Sequence, residues 1–511
     1  PVDAGAGRPA RAGPRRRRGG DGGPVNAQVR KVAVVILVAF LLLLAAPLYW
    51  QVLAADRLAN DPRNTRVLIK EYSIERGPIV LSDRTQVAES VRSRDRNDPL
   101  KYVRRYPNGP RYGMITGFYS LVFGRTLVEQ QFNSFLLGKA PEQFAQNVTD
   151  LLTARSSPGG TVVLTLDRAT QQAAEQALSG RKGAVVALDY KTGAVLAMTT
   201  FPRYDPNELS SHDPERIRRN WDRLVKDPNQ PMLNRAAGGL YPPGSTFKVI
   251  TAAAALENGV TTTQQIPSPT VYDVPQTSAD IRNFGGGSCG GDTITLPEAL
   301  RISCNTAFAA LGVDLGDRKL AAEAEKFGFN QPSPYELPAA TSSIPVDQDV
   351  PATAQSAIGQ RDVRVSPLQM ASVAATIANG GRRVAPFVVS QVLSDNGGVV
   401  KRFEGKDLGQ AIPGRVAGEL QDMMRLVVEQ GTGTSAQIPG TPVAGKTGTA
   451  QHAEGSPPHA WFISFAERGD RRIAVAVVVE NGGDLGSEAT GGHVAAPIAK
   501  QVMETYLDSG Q

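Results

Sequence analysis

The chain has 511 residues, of which 41% are hydrophobic and 20% charged, and a formal net charge of +6. That length exceeds what one hydrophobic core usually serves, so more than one domain is expected, and the composition is globular rather than disordered. Much of the positive charge sits in Arg8, Arg11, Arg15, Arg16, Arg17 and Arg18, so it describes the N-terminus and not the folded part.

A basic N-terminus suits either nucleic acid or an anionic membrane face, and the next segment decides between them. No charged residue occurs from Val32 to Ala55. A run of about 20 apolar residues spans a bilayer, and Tyr49 and Trp50 fall where an interfacial aromatic belt lies. Residues 32–50 are therefore expected to form an uncleaved transmembrane anchor in the plasma membrane. Arg30 and Lys31 directly precede it, which places the N-terminus in the cytoplasm and the rest outside. The run is long for a signal peptide, and no A-x-A site follows. Residues 1–31 read as a basic tail without a fold. Residues 1–24, rich in Gly, Arg and Pro, are expected to lie upstream of a natural start at Val25.

Residues 51–160 are mixed in character: Pro, Arg and Asn between short apolar runs, with a turn and strand at Arg76-Gly-Pro-Ile-Val-Leu. This segment is expected to be a non-catalytic pedestal, closed by a linker at Ser156-Ser-Pro-Gly-Gly160. The region 161–511 opens with a strand from Thr161. A helix over Thr170 to Leu178 follows, capped by Asp167 and stopped by Gly180. A hairpin covers Gly183 to Met198. Later strands are expected at Ala460–Ala466 and Ile473–Glu480, and a closing helix at Ala495–Tyr506. The stretch between hairpin and late strands is Ala-rich and reads as mostly helical. A sheet built from both ends of a domain with helices inserted between argues for a mixed α+β fold, an antiparallel sheet flanked by helices.

Three short motifs carry the chemistry. In Tyr241-Pro-Pro-Gly-Ser-Thr-Phe-Lys248 the Pro and Gly residues break what precedes, and Val249 to Glu257 is a strong helix stopped by Asn258-Gly259. Ser245 thus sits at a helix N-terminus with Lys248 on the same face. A serine hydroxyl needs a neighbouring base, and a partly buried lysine at a helix N-terminus is pushed toward its neutral form. Ser303-Cys-Asn305 is a polar pair between two apolar, helix-like runs, and buried polar groups need partners. Gly445-Lys-Thr-Gly-Thr-Ala450 suits a strand against which a substrate lies, because Gly448 admits a close backbone. The string Gly440 to Thr447 also matches a phosphate loop, but Pro442 interrupts it and no helix follows. Cys289 and Cys304 form a candidate disulfide in an extracytoplasmic setting, although spacing alone leaves their geometry open. His212, His452, His459 and His493 are scattered without zinc-ligand spacing, so no metal or other cofactor is expected.

The ordered set S-x-x-K, S-x-N, K-T-G is the signature of penicillin-recognising serine acyltransferases. The chain resembles the class B penicillin-binding proteins, monofunctional D,D-transpeptidases, and within them the actinobacterial branch. Arg76-Gly-Pro-Ile, Asn234-Arg-Ala, Ile358-Gly-Gln360, Pro367-Leu-Gln-Met-Ala371 and Gly491-Gly-His-Val-Ala-Ala-Pro497 carry the resemblance further, from Val25 onward. It implies that Ser245 is the nucleophile on the D-Ala-D-Ala end of a peptidoglycan stem peptide and that Lys248 takes its proton. It implies that Ser303, with Lys446 beside it, relays a proton to the leaving amine, and that Asn305 holds the substrate amide. Thr447 and Thr449, on either side of Gly448, would bind the terminal carboxylate. The N–H groups of Ser245 and Thr449 would hold the oxyanion. β-Lactams should acylate Ser245, and a SEDS-type lipid II polymerase is the implied partner. Two readings share these motifs, a β-lactamase and a β-lactam sensor; the first lacks an E-x-x-L-N segment here, and the second lacks further spans and a signalling domain. Gly286-Gly-Ser-Cys-Gly290 fits a hydrolase elbow in string only, with no helix directly after it.

Overall fold

The computed structural model describes residues 24–54, 65–95, 98–143, 158–452 and 455–509. Of the expected foldless tail, residues 1–31, residues 1–23 lie outside the described residues, while 24–31 are helical rather than foldless; 156 and 157 of the expected linker also lie outside the described residues. The chain divides into two units, residues 1–67 and 68–511.

The first unit holds helix α1, Pro24–Leu48, which runs on through a π-helical turn at Tyr49–Leu53. It begins upstream of the expected Val32 because proline is pre-shaped for a first helical turn and nothing between Val25 and Lys31 breaks propagation. Gln28–Val52 is long and apolar enough to cross a membrane and is exposed throughout.

Two larger sheets and four two-stranded ribbons make up the strands described in the second unit. The strands of the two larger sheets in chain order are β1 (Ile79–Val80), β2 (Gln86–Arg92), β3 (Tyr102–Arg105), β4 (Thr161–Leu164), β5 (Gly183–Leu188), β6 (Val195–Phe201), β7 (Val389–Leu393), β8 (Val399–Arg402), β9 (Val443–Ala450), β10 (His459–Arg468) and β11 (Arg471–Val479). The six-stranded sheet has the order β8-β7-β4-β1-β2-β3 and the five-stranded sheet the order β9-β10-β11-β5-β6. The strand expected at Thr161 therefore joins not the hairpin that follows it but the pedestal strand β1, in parallel, and β7 on its other side. Strands β7 and β8 lie inside the stretch read as mostly helical. Their short apolar runs flank Ser394-Asp-Asn-Gly-Gly398, a hairpin signal that the Ala-rich helical sequence around it outweighs.

Helices frame the five-stranded sheet: α2 (Arg168–Leu178), α3 (Lys248–Glu257), α4 (Leu296–Arg301), α5 (Asn305–Leu315), α6 (Pro367–Ala378), α7 (Gly414–Gln430) and α8 (Ala496–Asp508). The Asp167 carboxylate accepts from Thr170 N–H at 2.8 Å and starts α2 as expected. On β11, Ala474, Ala476 and Val478 enter the core shared with α3 and α6. Val475, Val477 and Val479 enter the core shared with α2 and α8. Burial on both faces is why β11 reads as an unbroken apolar run. In α3 every residue from Lys248 to Leu256 is buried, the mark of a helix enclosed on all sides. The fold is thus mixed α+β, with the antiparallel sheet and flanking helices expected.

The pedestal has its own buried ion cluster. Glu129 accepts from Arg76 Nε and Arg104 Nε, each at 2.6 Å, and from the Tyr106 hydroxyl at 3.2 Å. Arg76 also donates to the Glu129 carbonyl and to Asn133, and it lies 4.6 Å over the Tyr119 ring. Burial pushes the Glu129 carboxyl up, but Arg104 and Arg76 more than offset it and hold the group below its usual range.

Candidate active site

The turn before α3 has unusual constraints. Gly244 has φ +54°, and a Cβ there would lie 2.6 Å from the Thr449 carbonyl oxygen, so strand β9 presses on the turn. Gly244 N–H donates to the Gly359 carbonyl at 2.8 Å, which ties in the Ile358-Gly-Gln360 stretch. Residues Gly244–Phe247 form one 3₁₀ turn that leads into α3. In that geometry side chains three apart eclipse, which stacks Ser245 above Lys248. The Ser245 N–H is among the helix's first donors, which have no intrahelical acceptor.

The second element is the junction of α4 and α5. Ser303 has φ +62°, so the chain reverses sharply there. Lys248 Nζ donates to the Ser303 carbonyl at 2.8 Å and to Asn305 Oδ1 at 2.7 Å, and stands 3.4 Å from Ser303 Oγ. Asn305 Nδ2 donates to the Arg282 carbonyl at 3.0 Å, which turns Oδ1 toward the lysine. No hydrogen bond joins Ser245 Oγ to Lys248 or to any other described residue; contacts of this kind often tighten only with substrate bound.

The third element is β9, an edge strand. Lys446 Nζ donates to Ser303 Oγ at 2.8 Å and to the Thr447 carbonyl at 3.0 Å. The Ser303 hydroxyl therefore lies between two lysines. Thr449 pairs with Ala460 of β10, while its carbonyl faces Gly244 and Gln360. N–H and C=O of one residue share an edge in an antiparallel strand, so the Thr449 N–H also lies on the free edge. The Thr447 hydroxyl is 2.6 Å from that of Thr432.

Both lysines are fully buried, and among the described residues no carboxylate contributes to their electrostatics. Burial, reinforced by the Lys446 charge, pushes Lys248 well below the usual lysine range. Burial brings Lys446 down to about 7. An ammonium without a counter-charge in such a place is costly, so the neutral form is favoured.

Cys289 and Cys304 are bonded, with the sulfurs 2.08 Å apart, so the centre of S-x-N is tied to the Gly-rich loop. Asn283, in that loop, was not marked by the sequence. Its Oδ1 accepts from the N–H groups of Asn305 and Thr306 at 2.8 and 3.2 Å and so caps α5 from a distance. A cap normally lies just before its helix, and no local pattern reveals one supplied from elsewhere. The other two strings do not form the structures they resemble: Gly445 to Thr447 lie within strand β9 rather than opening a helix, and Gly286 to Gly290 lie in a loop with no helix directly after it. Among the described residues no group of His, Cys, Asp and Glu could hold a metal.

Comparison with known proteins bears on this arrangement. A family model described as the penicillin binding protein transpeptidase domain matches residues 183–504, and one described as the penicillin binding protein A dimerisation domain matches residues 76–162. The chain is 42% identical over 496 residues to peptidoglycan D,D-transpeptidase PbpA of Mycolicibacterium smegmatis, covering 95% of this chain and 100% of that relative. It is similar to the ceftriaxone acyl-enzyme complex of penicillin-binding protein A from M. tuberculosis (TM-score 0.81, 40% identity, 86% of this chain and 100% of that one). The penicillin G acyl-enzyme complex of the same protein is also similar (TM-score 0.79, 40% identity, 84% of this chain and 99% of that one).

Proposed function

Because the chain belongs to the penicillin-binding protein transpeptidase family, we propose that it crosslinks peptidoglycan as a serine D,D-transpeptidase through an acyl-enzyme on Ser245. The observation that carries this reading is the contact of three distant segments: Lys248 with Ser303, 55 positions apart, and Ser303 with Lys446, 143 apart.

Each residue then has a role. Ser245 Oγ attacks the carbonyl of the penultimate D-Ala, and its proton passes to the lone pair of neutral Lys248. The oxyanion forms against the N–H groups of Ser245 and Thr449, which are fixed before reaction by the turn and the strand edge. The C–N bond to the terminal D-Ala breaks, and Ser303, between Lys248 and Lys446, passes the proton to the departing amine. Asn305 both orients Lys248 and holds the substrate amide. Lys446 and the hydroxyls of Thr447 and Thr449 take the terminal carboxylate beside Gly448. An amine from a neighbouring stem peptide then attacks the ester, forms the crosslink and frees Ser245. A β-lactam presents the same carbonyl and carboxylate but keeps its leaving group tethered, so the adduct persists.

The working division is residues 1–31 as a cytoplasmic tail, 32–50 as the anchor, 51–160 as a non-catalytic pedestal and 161–511 as the transpeptidase domain outside the membrane. The match of one family model to 76–162 and another to 183–504 supports it, and the Arg30-Lys31 pair supports the orientation. A SEDS-type lipid II polymerase that supplies the glycan strands, meeting α1 and the pedestal, is the proposed partner.

The test is the intact mass of the protein after incubation with a penicillin, beside Ser245→Ala. One stable adduct on the Ser245 peptide, absent from the variant, is expected. Hydrolysed penicillin with no adduct would favour a β-lactamase, and intact penicillin with no adduct would sink the acyltransferase reading.

A further inference from the structure

The oxyanion pair works only if the turn that carries Ser245 keeps its register against β9, and the three motifs do not explain what holds it. Backbone bonds pair Tyr241 with Val365 and Gly244 with Gly359, and two side-chain bonds from the sheet behind the turn add to them. Trp461 on β10, wholly buried, donates from Nε1 to the Pro242 carbonyl at 3.0 Å. Glu480, directly after β11, accepts from the Tyr241 hydroxyl at 2.8 Å.

Glu480 is itself fixed. Its Oε1 also accepts from Arg235 Nε at 2.8 Å, and Lys182 lies 3.5 Å from Oε2. Arg235 is wholly buried, and its other nitrogens donate to the carbonyls of Gln230 and Asn229 at 3.0 and 2.8 Å. The Tyr241 ring stands edge-on to His459 and Trp461, with centroids 5.5 and 6.1 Å away. His459 Nδ1 accepts from Asn481 N–H at 3.1 Å, and burial pushes that imidazole down to about 4. It is neutral at pH 7 and brings no competing charge to Glu480.

We propose that Glu480 is a positioning residue for acylation: through Tyr241 and Arg235 it fixes the Tyr241–Gly244 turn and with it the alignment of the Ser245 N–H to that of Thr449. Glu480 touches no reacting atom, and the inference rests on Ser245 being the nucleophile. The network holds a backbone donor rather than a binding pocket, so its loss should slow bond formation without weakening the first encounter. A loosened donor pair should cost less than a deleted oxyanion donor, which costs about 10²–10³-fold.

The test is acylation of the full chain by a fluorescent penicillin over a range of concentrations, which separates the dissociation constant of the encounter complex from the acylation rate constant. Tyr241→Phe removes one hydroxyl and keeps the ring packing, so it is the main variant. Glu480→Gln keeps an acceptor for Tyr241 but leaves Arg235 without its counter-charge. In Tyr241→Phe an acylation rate constant about 10-fold lower is expected, with the dissociation constant within about 2-fold and the Tm within about 4 °C of the parent. Glu480→Gln, where it folds, should lose at least as much in the same constant. An unchanged acylation rate constant in Tyr241→Phe would overturn the proposal, and so would a fall explained by weaker binding alone. Failure of the parent protein to form any adduct would instead overturn the Ser245 reading, and this inference with it.

Discussion

Two buried clusters of charge stand in different parts of the second unit and are solved in opposite ways. In the pedestal, Arg76 and Arg104 close on Glu129, and the buried carboxyl is held ionised by two guanidiniums that cannot give up a proton. In the catalytic part, Lys248 and Lys446 share only the Ser303 hydroxyl, carbonyl oxygens and an amide. Among the described residues no carboxylate compensates them, so burial favours their neutral forms instead. The first arrangement spends its electrostatics on holding β1 and β3 to the Glu129 segment. The second keeps a proton acceptor ready beside a serine. Uncompensated burial of a group able to lose its proton separates a chemical site from a structural clasp.

The contrast is broken most sharply by removing one member from each cluster. Glu129→Gln leaves two buried guanidiniums without a counter-charge and should lower stability by about 3–5 kcal/mol, seen as a fall in the denaturant midpoint. Penicillin acylation per folded molecule should stay as it was. Lys248→Met should do the reverse, slowing acylation by about 10³-fold, in the range for a lost general base, while the Tm holds or rises. If Lys248→Met unfolds the protein and Glu129→Gln abolishes acylation, the assignment of roles fails.

The pH dependence sharpens the same comparison. Glu129 has a folded pKa below its unfolded value of 4.5, so its contribution is present above that pH and is lost as acid protonates it. Lys446 is brought from 10.5 down to about 7, so between those values the unfolded chain binds a proton that the folded site does not. Stability should therefore rise as pH climbs from about 7 toward 10.5, with the penalty fully in force below about 7. Lys446→Met should raise the Tm more at pH 6 than at pH 10; an equal change at both would contradict the sign.

Acylation offers a finer readout. Its rate should climb with pH along a limb that belongs to the coupled lysines rather than to either alone. The Lys446 charge helps to depress Lys248, so removing it should move that limb to higher pH. The smallest effect is expected at the surface: Arg415→Ala breaks the exposed pair with Glu419 and should cost no more than about 0.5 kcal/mol in chemical denaturation.

Much of the site was legible because its chemistry is local. A serine and a lysine three residues apart, a serine and asparagine between apolar runs, and a lysine beside Gly448 on a strand each leave a short pattern. Glu480, Asn283 and Thr432 left none, since each acts on a partner distant in sequence. The same limit applied to the fold. The helix after Asp167 and the hairpin from Gly183 were readable from their caps and turns. Strands β7 and β8 were hidden among Ala-rich helices, and Thr161–Leu164 gave no hint that its neighbours would be Ile79–Val80 and Val389–Leu393.

By itself the sequence determined the apolar span of α1, the mixed α+β class and which short motifs to read as the site. These follow from patterns a few residues to one helix long, where propensity and reactivity are set by near neighbours. Only the tertiary structure decided that two lysines separated by most of the catalytic part meet on one serine hydroxyl with no carboxylate beside them among the described residues, that Cys289 reaches Cys304, and that Glu480 holds the turn before Ser245. A lysine's pKa depends on what surrounds it in three dimensions, and that surrounding exists only once the sheet and helices have closed around it.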